Sequence, residues 1–192
     1  PQLFAYPLFV VSLYLLWNWE QGKDKYLWIL PLLMLLWVNL HGSFVLLFLL
    51  AGAAFVFGKG NRKKLFTILV LMFIAMLINP RGLGVSDYIL NSLSNISNQT
   101  FSVEWRPPVN EGWQANIFFG SFLALILLVA NSPYKISLMA WSWLLGFGWL
   151  ALSGSRYDIW YLFIFAIMSA VLLAPMLEND KSKKQQKELP IV

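Results

Sequence analysis

Long apolar runs separated by short polar stretches make up most of this chain. Seven of them, at 3–17, 27–40, 44–57, 65–78, 117–130, 136–152 and 159–177, contain no Asp, Glu, Lys, Arg or His. Backbone inside a bilayer must satisfy its own hydrogen bonds, so runs of this kind predict membrane helices. Several are short. A run of about 14 residues covers about 21 Å of a hydrocarbon core about 30 Å thick, and polar flanks or local thinning must supply the rest. Only His41-Gly42-Ser43 separates the second run from the third, which predicts a tight helical hairpin or one broken helix.

The 79–116 stretch reads differently. Val85, Tyr88, Ile89, Leu93 and Ile96 recur at three- and four-residue spacing, with Ser86, Asp87, Asn91, Ser92, Ser94 and Asn95 between them. That period predicts an amphipathic helix lying along a membrane interface, entered through the Asn79-Pro80-Arg81-Gly82 turn. Val103-Glu104-Trp105-Arg106-Pro107-Pro108 follows, and its paired prolines favour extended backbone. Asn95-Ile96-Ser97 and Asn98-Gln99-Thr100 match the glycosylation sequon, a short pattern expected by chance in a Ser/Asn-rich loop.

Composition agrees with the pattern. Apolar residues make up 59% of the 192 positions and charged residues 12%, where a soluble domain has roughly 45–50% and about 25%. The expected fold is an all-α, polytopic transmembrane bundle of about seven membrane segments plus the external interfacial helix. One membrane domain should occupy 1–177, with a basic, unfolded tail at 178–192. The chain has no Cys and a single His, which disfavours thiolate and His-rich metal centres. Its net charge of +5 comes from short clusters between apolar runs, a topology signal rather than a nucleic-acid-binding stripe. Residue 1 is Pro and the first run lacks a basic leader and a cleavage site, so the chain reads as entered partway along a longer protein.

Seven spans divide the connections into two alternating sets. One holds 11 of the 14 basic residues, at 23, 25, 59, 62, 63, 64, 135, 181, 183, 184 and 187; the other holds only Arg81, Arg106 and Arg156. The Lys-rich side, with the C-terminus, should be cytoplasmic and the 79–116 loop external. Trp17, Trp19 and Trp28 on one side and Trp37, Trp105, Trp113, Trp149 and Trp160 on the other fit interfacial belts.

The external set carries three of the four Arg and none of the Lys. Either cation would serve topology, whereas Arg offers a planar fork of donors suited to phosphate or carboxylate. Arg81, Arg106 and Arg156 are therefore candidate phosphate contacts. The alternative is structural: Arg156 paired with Asp158, Arg106 with Glu104 or Glu111, and Arg81 at a helix end or lipid headgroup. His41 is either a helix cap, followed by a left-handed Gly42, or a donor to a phosphate or sugar. Glu104 and Asp158 are weak candidates for an acid or base. No P-loop, HExxH or nucleophile elbow occurs.

Pro1-Gln2-Leu3-Phe4, the stretch from Leu30-Pro31 to His41-Gly42-Ser43-Phe44, Asn79-Pro80-Arg81-Gly82, Glu104-Trp105-Arg106-Pro107-Pro108 and the Arg opening the last span resemble a broad group of bacterial multi-pass proteins. That group is similar to the GT-C glycosyltransferases, which take sugars from polyprenyl-phosphate carriers at the non-cytoplasmic face. The resemblance covers nearly the whole chain and departs at Ser43, where Gly is expected. It implies residence in the bacterial cytoplasmic membrane and a catalytic acid in an external loop upstream of these residues. It also implies His41, Arg81, Arg106 and Arg156 as carrier-phosphate contacts, with Trp105 beside Glu104 in the wall of an acceptor groove. No cofactor is indicated. A non-catalytic membrane scaffold is the alternative. A transporter fits less well, because the runs lack mid-membrane charges.

Overall fold

The computed structural model describes residues 2–94 and 102–188, the side chains of 92, 93 and 179–188 excepted. Among these residues the secondary structure is eight α-helices joined by turns, with no strand. They are α1 (Gln2–Glu20), α2 (Ile29–Leu40), α3 (Val45–Phe57), α4 (Arg62–Met76), α5 (Val85–Ser94), α6 (Gly112–Asn131), α7 (Leu138–Ser153) and α8 (Asp158–Glu188). The backbone groups into two compact units, Pro1–Arg106 and Pro107–Val192, divided at the paired prolines.

Each predicted run lies on a helix, but seven independent spans do not follow. Among the described residues two stretches are long and apolar enough to cross a bilayer: Gly112–Asn131, with mean hydropathy 1.8, and Ser155–Glu178, with mean hydropathy 2.2. Ile29–Leu40, Gly42–Phe57 and Leu138–Ser153 are apolar but shorter. The reason is local. Extended backbone at His41 (φ −159°, ψ 141°), Gly58 (φ −77°, ψ 161°) and Gly154 (φ −171°, ψ 130°) stops each helix at its polar flank. A 12-residue helix such as α2 therefore rises only about 18 Å.

In the first unit, α2 packs on α1 and α4, and α3 also packs on α1 and α4. The α2–α3 connection is thus a hairpin whose arms make their main contacts with the two other helices. Polar contacts define two ends. At one, Lys64 Nζ lies 3.1 Å from Asp24 Oδ1 and donates to the Asp24 carbonyl at 2.8 Å, tying the α1–α2 loop to the start of α4. Trp19, fully buried, donates from Nε1 to the Asn61 carbonyl at 3.1 Å. A Cβ on Gly60 would sit 2.5 Å from the Trp19 ring, so only glycine allows this approach. At the other end Asn39 Nδ2 donates to the Ile78 carbonyl at 3.0 Å, joining the ends of α2 and α4. Lys23, Lys25, Lys59, Arg62, Lys63 and Lys64 accordingly share one end, and His41 and Arg81 share the other.

The second unit is organised on α8, against which both α6 and α7 pack. The Tyr161 ring stacks on Phe122 with centroids 4.6 Å apart, and Phe118 meets it edge-on at 5.8 Å. The α8 backbone stays helical beyond Leu177, where the apolar pattern stops, to Glu188.

Core and surface are both apolar. Trp19, Trp37, Trp143 and Trp160 are fully buried, which removes Trp19, Trp37 and Trp160 from the expected interfacial belts; Trp28, Trp113 and Trp149 are exposed as a belt requires. Leu32, Leu36, Phe66, Phe73, Leu123, Ile126 and Leu145 also point outward.

Candidate functional site

At the end of the first unit away from the Lys-rich loops, the α2–α3 connection, the 79–82 turn and the start of α5 border a half-open cavity of about 260 Å³. Its polar lining comes from Asn39, His41, Asn79, Arg81 and Tyr88, and no Asp or Glu among the described residues lines it.

Each side chain is placed by a local device. The Asn79 side chain accepts from the Arg81 amide at 2.8 Å, and the Asn79 carbonyl accepts from the Gly82 amide at 3.0 Å. Gly82 takes φ +52°, a left-handed conformation natural to glycine. This turn directs Arg81 to Tyr88 one helical turn into the next element, where the guanidinium carbon lies 4.6 Å from the ring centroid. At this distance the cation is held over the ring face. Arg81 forms no ion pair among the described residues and is exposed.

His41 is the extended residue between α2 and a 3₁₀ turn at Gly42–Phe44. Its Nδ1 accepts from the Ser43 amide at 3.1 Å and lies 2.8 Å from Ser43 Oγ, which accepts from Trp37 Nε1 at 3.0 Å. Capping is thus part of its role. The left-handed conformation expected at Gly42 is absent: the glycines with positive φ are Gly22, Gly82 and Gly112. The chain restarts a helix after His41 and needs no left-handed stop. A Cβ at Gly42 would lie 3.5 Å from the Tyr88 ring, an ordinary van der Waals contact.

The remaining sequence candidates are not among the residues that line this cavity. Val103–Trp105 form a 3₁₀ turn with Glu104 exposed and Trp105 half-buried, and Arg106 follows in extended backbone; none of the three lines the cavity. Arg156 and Asp158 belong to the second unit. Arg156 lies 5.6 Å from the Tyr157 ring centroid, and Asp158 opens α8. Asp158 Oδ1 is buried without a hydrogen-bond partner among the described residues. The two sequons at 95–100 lie outside the described residues.

Sequence reasoning missed Tyr88, Asn79, Ser43 and Trp37. Tyr88 read as one apolar position of α5, and Asn79 as a turn former. The Trp37–Ser43 contact spans a helix break, where no period applies. No protein-family model matches the chain, and no curated protein or solved structure shows significant similarity to it.

Proposed function

We propose that this chain is part of a multi-pass membrane protein, glycosyltransferase-like, that grips the phosphate of a polyprenyl-phosphate sugar carrier at the non-cytoplasmic face. The observation that carries this reading is the pairing of His41 and Arg81 in one cavity that has a cation and, among the described residues, no carboxylate. An arginine with no ion pair among the described residues, held over the Tyr88 ring, suits a phosphate oxygen pair.

All seven long helices cross the membrane on this reading, the shorter ones through polar flanks and local thinning. The exposed leucines and phenylalanines support that, because lipid removes the penalty of displaying them. Segregation of the first unit's lysines to the end opposite the cavity supports a cytoplasmic Lys-rich side. The catalytic acid comes from outside these residues, as the resemblance to GT-C enzymes implies; Glu104 is not in the cavity.

The missing carboxylate favours one second reading, a carrier-binding scaffold without transferase activity. Transfer of labelled sugar from a polyprenyl carrier, in membranes containing the full-length protein, separates the two. The binding step has its own test: native mass spectrometry of this chain with farnesyl phosphate. Replacing Arg81 by Lys should weaken binding roughly 10- to 150-fold, the equivalent of about 1.5–3 kcal/mol for a charged hydrogen bond. Unchanged binding rejects the phosphate site.

A further inference from the structure

We propose that the Lys-rich end of the first unit is a binding site for the phosphate of an anionic phospholipid, gripped by the α1–α2 and α3–α4 loops together; this rests on the membrane reading above and not on the His41–Arg81 cavity. From Glu20 to Lys64 the chain carries six Lys and Arg, at 23, 25, 59, 62, 63 and 64, against two carboxylates, Glu20 and Asp24. The fold joins the two loops that hold them. Lys64 Nζ reaches the Asp24 carboxylate at 3.1 Å and the Asp24 carbonyl at 2.8 Å, and Trp19 Nε1 reaches the Asn61 carbonyl at 3.1 Å.

Internal partners account for two of the six cations. Lys64 is paired with Asp24, and Arg62 donates to the Val56 carbonyl at 3.2 Å, closing the end of α3. Lys23, Lys25, Lys59 and Lys63 are exposed and form no ion pair among the described residues. Like charges on two tethered loops repel one another, and an anion held between the loops relieves that cost. The aromatic residues beside them decide where the anion comes from. Lys25 Nζ lies 5.4 Å from the Tyr26 ring centroid and Lys64 Nζ 5.9 Å from that of Trp28, and these rings are 59% and 50% exposed. Exposed Tyr and Trp favour the boundary between acyl chains and headgroups, so the cations over them lie at the level of the lipid phosphates. A free phosphate has no apolar part to use those rings.

Native mass spectrometry of the whole chain in a neutral detergent, with phosphatidylglycerol and phosphatidylcholine of the same acyl chains, reads the site. Wild type should hold phosphatidylglycerol about tenfold more tightly. Lys23→Gln/Lys25→Gln and Lys59→Gln/Lys63→Gln should each reduce that preference to below about twofold, because both loops grip the phosphate. Arg at the same four positions should keep it, and so should Lys181→Gln/Lys183→Gln, which removes an equal charge from the C-terminal tail. An equal loss in the tail variant would reduce the effect to net charge and overturn the site, as would equal retention of the two lipids by wild type. Loss from one loop pair alone overturns the two-loop grip. Displacement of the lipid by inorganic phosphate would assign the site to a free anion instead. Arg81→Lys should leave the preference unchanged, which keeps this test separate from that of the cavity, and partition of the chain into the detergent phase tests the membrane reading by itself.

Discussion

The guanidinium of Arg81 lies over the ring of Tyr88, 4.6 Å from its centroid, and this contact couples the 79–82 turn to α5. An exposed cation–π contact of this kind is worth about 0.5–1 kcal/mol. Tyr88→Leu should therefore weaken farnesyl phosphate binding about two- to fivefold by releasing the arginine from its bound orientation. Tyr88→Phe keeps the ring face and should bind like wild type. Equal losses in both variants would assign the effect to the phenol hydroxyl instead of the stack.

Arg81 and Arg106 offer a direct comparison, because one lines the cavity and the other does not. Arg81→Lys keeps the charge and loses the fork, so its binding should fall by at least about tenfold. Arg106→Lys should stay within about twofold. Titration of both variants at matched concentration checks this, and a larger loss at Arg106 would move the site to the 103–108 turn.

The Trp19 contact should limit stability of the first unit. A Cβ at Gly60 would meet the Trp19 ring at 2.5 Å, and one at Gly58 would meet both that ring and the Ala54 carbonyl at 2.5 Å. Overpacking of this sort destabilises by about 1–3 kcal/mol. Gly52 in α3 has open space around its Cβ position and is the control. Thermal unfolding in detergent should give a lower Tm for Gly60→Ala than for Gly52→Ala; identical values would mean that Trp19 is displaced without consequence.

Orientation can be read by thiol labelling, since the native chain has no Cys. A Cys at Ser94 should react with an impermeant reagent in intact cells, and a Cys at Ser182 only after the cells are opened. The reverse pattern would place the cavity on the cytoplasmic side and remove its access to an external carrier.

Helix positions were legible in the sequence because apolar runs and their charged flanks are local signals: each of the seven runs lies on one of the seven long helices, and the 85–96 periodicity found α5. The ends were less legible. α2, α3 and α7 start one or two residues inside their apolar runs, while extended backbone at His41, Gly58 and Gly154 ends them within one residue of where the runs end. The sequence also proposed His41 and Arg81 separately, from residue type and placement. Only tertiary structure decided that they share a cavity, since the ends of α2 and α4 meet through Asn39 and Ile78, residues far apart along the chain. The same packing left Arg106 and Glu104 outside it and turned Trp37 from a belt residue into a buried partner of Ser43. Periodicity reports which face of a helix is apolar; which polar ends converge is set by how the helices pack, and no local pattern encodes that.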